Sequence, residues 1–428
     1  MTAAPPAGAP DVPEADDHLR RLPDGTVKQI NPFTGTEVWT VPRRGNRPLT
    51  GAPAPHLRLD PADAGRHCAF CSGNLLQTPP EKLRRVRDDD GTWRDLRGVT
   101  ASHLGDTIAE FRVIPNLFEI VSLDYWRHNH GFALPETELE RRRAYLADPA
   151  GREHVLGLIG LHRPADLLTG GDEAIIADSL MGGFHDVIVA RRHHVDGARC
   201  DDELASTSTL SVVEHEQFVD VTLQAMRDLF AANPSIRNVV AFQNWLRPAG
   251  ASFDHLHKQL VGIDEFGRWR NSEVERLRAD PELFTRFGIE FAQSRDLVVA
   301  TTEHAVAFAG FGHRYPTLEV WSRRGDADPW NLQPQELADM SALLHACHEV
   351  SGPSVPCNEE WHYRPPTLDL PMPLRICLKW RISTPAGFEG GSRIYVNTID
   401  PWGVRDRARA AIAQAAEAGR IAPQIRVA

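Results

Sequence analysis

Gly250-Ala251-Ser252-Phe253-Asp254-His255-Leu256-His257-Lys258-Gln259 runs directly into the apolar pair Leu260 and Val261. Side chains on an extended segment alternate between faces, so His255, His257 and Gln259 share one face. The stretch therefore presents two imidazoles and a carboxamide in a row. The small residues Gly250, Ala251 and Ser252 let backbone N–H groups come close to a ligand, a combination that suits a phosphate. A surface strand that happens to carry two histidines has the same pattern, and the neighbouring sequence must decide between the two.

Working outward, Asn238 to Asn244 is a β-like run, and Glu216 to Ala232 places Val219, Leu223, Met226, Leu229 and Phe230 on one helical stripe closed by Asn233-Pro234. Asp186 to Ala190 reads as a buried strand with His193 and His194 just past its end, a natural place for a metal ligand or catalytic group. Strand, helix, strand, loop, strand is a compact α/β unit. The order recurs downstream: β-like runs at Leu297 to Thr301, Ala305 to Phe308 and Thr317 to Trp321, a helix near Pro334 to Glu349, a strand within Leu374 to Ser383, and a terminal helix at Val404 to Ala418. Element order thus predicts two similar α/β halves.

Further upstream, Cys68-Ala69-Phe70-Cys71 is a Cys-x-x-Cys knuckle. Two thiolates at this spacing supply half of a tetrahedral zinc site, and a redox pair is the rival reading. A redox knuckle of the thioredoxin kind needs a long helix behind it, whereas Thr78-Pro79-Pro80 breaks any such helix, which favours zinc. Arg43, Arg44 and Arg47 form a basic loop that can clamp a phosphate. Asn116 ends a strand at a Pro-Asn turn.

The chain has 428 residues, 42% hydrophobic and 25% charged, as in globular proteins. Its 58 acidic against 47 basic residues give a net charge of −11, which argues against nucleic-acid or membrane-surface binding, while a local arginine cluster still allows a small phosphate-bearing ligand. Six cysteines in so long a chain make no disulfide framework. The Ala-, Pro- and acid-rich start lacks the pattern of a signal peptide, and there is no apolar run long enough for a membrane span, so we expect a disordered tail over residues 1–25 and a cytoplasmic protein.

Several of these motifs together resemble the galactose-1-phosphate uridylyltransferase family of the histidine-triad superfamily. The resemblance is carried by Asn31-Pro-Phe-Thr-Gly-Thr-Glu-Val-Trp with Arg44 and Arg47-Pro48, by the cysteine knuckle with Thr78-Pro79-Pro80-Glu81, by Arg112-Val with Pro115-Asn116, by Val187-Ile188-Val189 leading to His194, and by Asn244 followed by Gly250 to Gln259. It implies an α+β fold of two histidine-triad-like halves, each an antiparallel sheet with packed helices, spanning residues 26–265 and 266–428. It implies a structural zinc on Cys68, Cys71, His194 and His255, with His193 the competitor for His194. His257 would be the nucleophile and Gln259 its partner at the phosphoryl group. Arg44, Arg47, Asn116, Asn244 and Ser252 would hold the nucleotide, and Glu389 the sugar hydroxyls.

The implied reaction moves a nucleoside monophosphate from a nucleoside diphosphate sugar to a sugar 1-phosphate through a nucleotidyl-histidine, in a possible homodimer. The alternative acceptor is inorganic phosphate, because Gly390-Gly391-Ser392-Arg393-Ile394-Tyr395-Val396-Asn397 is similar to the phosphorylase branch. A zinc-stabilised nucleotide-binding module without catalysis is the alternative of another class. Two departures stand out: Leu256 lies where the uridylyltransferases usually have proline, and Cys377 and Lys379 replace the His-x-His of the family's second metal site, so no second metal is expected beside Trp361-His362. Arg375, Lys379, Arg381 and Arg393 suit an anionic acceptor.

Overall fold

The computed structural model describes residues 15–42, 56–162 and 180–428. The expected tail over residues 1–25 is shortened by a strand: β1 (Leu19–Arg21) pairs with β2 (Val27–Ile30), which pairs with β3 (Glu37–Thr40). β3 pairs in parallel with β15 (Ile394–Asn397), so one small sheet joins the N-terminal segment to the second half.

A 12-stranded sheet forms the body. At its centre β8 (Asn238–Trp245) pairs antiparallel with β13 (Cys357–His362). Outward from β8 lie β9 (His257–Ile263), β7 (His185–Ala190), β6 (Ala109–Pro115), β4 (Leu83–Arg87) and β5 (Trp93–Arg97). Outward from β13 lie β14 (Arg375–Trp380), β12 (Thr317–Ser322), β11 (Ala305–Gly310), β10 (Val298–Thr301) and β16 (Arg426–Val427). Each half contributes six strands, and the pairs within this sheet are antiparallel. The two expected halves are therefore fused through one ladder, and their sheets are continuous.

Alternation sorts each strand between two environments. Ile188, Leu260, Ala241 and Leu378 enter the main core against the helices Val212–Ala232, Pro334–Ser351 and Pro401–Glu417. Val187 and Val189 turn to the opposite face, where Ile114 and Phe70 cover them. By the same parity His257 and Gln259, which pair with Val189 and Val187, belong to that second face. The Val212–Ala232 helix starts four residues earlier than its apolar stripe suggests, because Ser211 and Glu214 form a reciprocal capping box.

The helix-side core also holds charge. Lys258 on β9 reaches across β8 to pair with Glu359 on β13, and both are buried. Glu359 also accepts from Trp361 Nε1 at 2.6 Å and pairs with His348 Nε2 at 2.8 Å, so its oxygens are satisfied. His215 and His345 lie beside this group, with ring centroids 5.1 Å apart. Buried ion pairs gain little net stability, but removing one partner strands a charge. We expect Glu359→Leu alone to cost about 3–5 kcal/mol in urea unfolding, and Lys258→Met with Glu359→Leu to recover most of it; equal losses in the single and double variants would contradict the pairing.

Burial lowers the pKa of His345 to about 4 and that of His215 well below its ordinary value of 6.5. The unfolded chain therefore binds more protons than the folded one between these limits. Their contribution to stability is complete above pH 6.5 and is lost as pH falls from there towards 4. Urea midpoints compared for wild type and His345→Gln at several pH values should show the wild type losing more stability on acidification; parallel curves would rule the cluster out as the cause.

Candidate active site and metal centre

Four donor groups converge where the cysteine knuckle meets the ends of β7 and β9. Cys68 Sγ and Cys71 Sγ are 3.8 Å apart, and Cys68 Sγ is 3.5 Å from His255 Nδ1. Cys71 Sγ lies 3.4 Å from His193 Nδ1 and 3.8 Å from His255 Nδ1. A zinc ion with bonds of about 2.3 Å to sulfur and 2.0 Å to nitrogen, at tetrahedral angles, gives edges of about 3.8 Å between sulfurs and 3.5 Å from sulfur to nitrogen. The four groups have those spacings before any metal is added, and all lie within 4.8 Å of one another.

The local chain builds this arrangement. Cys71 N–H donates to Cys68 O at 3.1 Å to close the knuckle, and Asn74 Nδ2 donates to Cys68 O at 2.9 Å. Buried Arg112 donates to Phe70 O at 3.1 Å and to Thr78 Oγ1 at 3.2 Å, fastening the knuckle to β6. Burial brings this guanidinium's pKa down to about 10, so it stays charged beside the two cysteines. His255 Nε2 donates to Ala190 O at 2.7 Å, which leaves the Nδ1 lone pair for a metal.

The donor set corrects one choice. His193, not His194, completes the group of four. Strand parity explains it: Val187 and Val189 face the site, and continuing by twos past the strand end reaches His193. His194 instead stacks on His193 with centroids 4.5 Å apart and meets His67 at 4.6 Å.

His257 lies two residues beyond His255, and Phe70 meets both rings edge-on, at 5.2 Å and 6.0 Å. His257 Nδ1 is 2.7 Å from the carbonyl of His255. A carbonyl only accepts, so Nδ1 carries the proton and Nε2 keeps its lone pair. Burial lowers this imidazole's pKa to about 4, which keeps it neutral at ordinary pH.

Gln259 is held by a residue the sequence reading missed. Ile120 N–H donates to His185 Nδ1 at 3.2 Å, and His185 Nε2 lies 3.0 Å from both Gln259 Oε1 and Asn116 Nδ2. Gln259 therefore keeps its amide N–H groups for something else. Asn116 joins them, its Nδ2 3.5 Å from Gln259 Oε1. His185 sits two residues before Val187 and so shares its face; this parity was the available signal.

Asn244 follows the same logic. Asn358 Nδ2 donates to Asn244 Oδ1 at 2.7 Å and to Ala249 O at 2.8 Å, while Arg381 Nη1 donates to Asn358 Oδ1 at 2.7 Å. The Asn244 amide N–H groups are left facing the turn before the histidines, with Nδ2 3.8 Å from where a Cβ on Gly250 would stand.

Other expected contacts are arranged differently. Gly250 N–H and Ala251 N–H are spent on Arg247 O and Leu246 O, so these two amides are not waiting for a phosphate. Ser252 is exposed at the outer end of that turn. Glu389 caps its own short helix by accepting from Ala386 N–H at 2.9 Å. Arg44 and Arg47 lie outside the described residues. Of the cations suggested for an acceptor, Arg375 pairs with Glu273 and Lys379 with Glu360. His313, Glu319 and Cys377 also approach within 4.8 Å of one another, but burial pushes the Cys377 thiol well up, and Glu319 is already bonded to His313 and Trp321.

Among the described residues no helix is long and apolar enough to cross a membrane. Metal analysis of the purified protein should find one zinc per chain, lost in Cys68→Ser and His193→Ala but retained in His194→Ala; loss in the last variant alone would reverse the assignment.

Comparison with known proteins agrees with the fold. ADP-glucose phosphorylase of Arabidopsis thaliana is 22% identical over 384 residues, covering 87% of this chain and 89% of that protein. The crystal structure of an Arabidopsis thaliana ADP-glucose phosphorylase with bound ADP-glucose superposes with a TM-score of 0.60 at 19% identity, covering 90% of this chain and 98% of that one. A uridylyltransferase mutant structure gives a TM-score of 0.51 at 17% identity, with 90% and 98% covered. The fold is thus the one that the motifs led us to expect, shared by uridylyltransferase-like and phosphorylase proteins. The family model described as domain of unknown function DUF4921 matches residues 22–428, and the chain belongs to that family.

Proposed function

We propose that this protein is a nucleotidyl-transferring enzyme that cleaves a nucleoside diphosphate sugar through His257 and hands the nucleotide to inorganic phosphate. The observation that carries the reading is the fixed tautomer of His257, whose Nδ1 proton is held by a backbone carbonyl 2.7 Å away while Nε2 stays free on the face of Gln259. Phosphate replaces sugar 1-phosphate as the first-choice acceptor because the similar Arabidopsis protein is a phosphorylase.

In the first step the Nε2 lone pair attacks the α-phosphorus. A P–N bond forms, the bond to the bridging oxygen breaks, and sugar 1-phosphate leaves with the electron pair. Gln259 and Asn244, each anchored through its amide oxygen, turn N–H donors towards the nonbridging oxygens as charge spreads over them. In the second step a phosphate oxygen attacks the same phosphorus, the P–N bond breaks, and nucleoside diphosphate leaves with His257 restored. Arg44 and Arg47 remain proposed phosphate contacts. Zinc, held by Cys68, Cys71, His193 and His255, would supply a structural cross-link, since four protein ligands leave no position for activated water. His255 then fixes the backbone carbonyl that orients His257.

Nucleoside diphosphate sugars labelled at the α-phosphate should leave acid-labile label on wild type and none on His257→Asn. Inorganic phosphate should discharge that label as nucleoside diphosphate. Discharge by sugar 1-phosphate alone would restore the transferase reading, and absence of label from a panel of bases and sugars would overturn covalent transfer altogether.

A further inference from the structure

Beside the nucleophile strand lies a cavity of about 490 Å³ of which the proposed chemistry uses the Asn244 end. Its floor is the open face of β8 and β13, and the helix Gly267–Ala279 brings Trp269 to its rim. We propose that this cavity holds the glycosyl group of the nucleoside diphosphate sugar. The inference rests on the reading of His257 as nucleophile and adds where the sugar goes.

Register sets the distance. Phe242 on β8 pairs with both Gln259 and Glu360, so Asn244 lies one strand from His257 and Asn358, its β13 partner, two strands away. With strands spaced about 4.8 Å apart, Asn358 sits roughly 10 Å across the sheet from the nucleophile. That suits a leaving group made of one phosphate and one sugar ring, with the phosphate beside Asn244.

The lining is two-sided in the manner a sugar ring requires. Val240 and Trp269 are 38% and 48% exposed, large apolar surfaces that the chain leaves uncovered there. An aromatic face of this kind packs against the C–H face of a pyranose. The polar lining includes His362 and three buried atoms without a hydrogen-bond partner among the described residues, Asn238 Oδ1, Arg375 Nη1 and Arg381 Nε. The other charges around the cavity are matched within it: Glu273 pairs with Arg270 and Arg375, and Glu360 with Lys379.

The rim is also connected to the reacting end. Arg381 holds Asn358, and Asn358 holds both Asn244 and the carbonyl of Ala249, so one hydrogen-bonded chain runs from the cavity wall in the second half to the turn before His257. Glu389, the carboxylate that resemblance assigned to the sugar, instead caps its own helix at the edge of the small sheet. The carboxylates that line the cavity are Glu273 and Glu360.

Binding separates this inference from the one beneath it. In a His257→Asn background, where turnover is blocked, ADP-glucose, UDP-glucose, AMP and UMP are titrated calorimetrically with and without Trp269→Ala. Trp269 is half exposed, so its truncation should leave the fold intact, and Trp269→Phe serves as the conservative control. We expect Trp269→Ala to weaken the preferred nucleotide sugar about tenfold and the matching monophosphate less than about twofold, with Trp269→Phe close to the parent. Equal effects on both ligands, or no effect on either, overturn the sugar site while leaving His257 chemistry standing. A parent that binds none of the four overturns both.

Discussion

Two backbone carbonyls decide how the site works. Ala190 O takes the Nε2 proton of His255 and His255 O takes the Nδ1 proton of His257, so adjacent imidazoles on one face are fixed in opposite tautomers. The first leaves its Nδ1 lone pair towards the two cysteine sulfurs, and the second leaves its Nε2 lone pair on the face of Gln259. Neither outcome follows from the side chains alone, since a neutral imidazole carries its proton on whichever nitrogen finds an acceptor. It follows from β7 and β9 running antiparallel, which brings Ala190 O to His255 and leaves the His255 carbonyl available to the next imidazole on the same face.

The same device recurs in the amides. Gln259 and Asn244 are each held by the oxygen, one from His185 and the other from Asn358. A half-buried amide held in this way presents donors with little reorganisation, which is the condition for stabilising developing negative charge. Asn358 comes from the second half, so the central β8–β13 pairing serves more than stability. Beneath it, Lys258 on β9 and Glu359 on β13 pair across β8 on the helix side. Such a pair gains little stability over an apolar replacement, so we attribute its value to register between β9 and the second half.

Much of this was legible in the chain. Period-two and helical stripes located the strand Asp186 to Ala190, the strand Asn238 to Asn244 and the helix ending at Ala232, and element order gave the two halves. The knuckle and the His-x-His segment were readable because ligand spacing is local. The resemblance points to His194, whereas the parity argument used for His255 and His257, continued by twos from Val189, reaches His193. His185 was passed over because its partner Gln259 lies 74 positions away and meets it only across a ladder. Strands β4, β5 and β13 were missed because arginines and glutamates interrupt their apolar pattern, and those charges find partners only in the folded sheet. Lys258 with Glu359 is the clearest case, since nothing local marks either residue as buried.

The central claim is that the nucleotide passes through His257 in two in-line displacements. Each in-line attack inverts the configuration at phosphorus, so two of them restore it. Turnover of a nucleoside diphosphate sugar made chiral at the α-phosphorus with sulfur, with inorganic phosphate as acceptor, therefore tests it most directly. The account predicts net retention in the nucleoside diphosphate product. Net inversion would mean that phosphate attacks the substrate directly, and would contradict it.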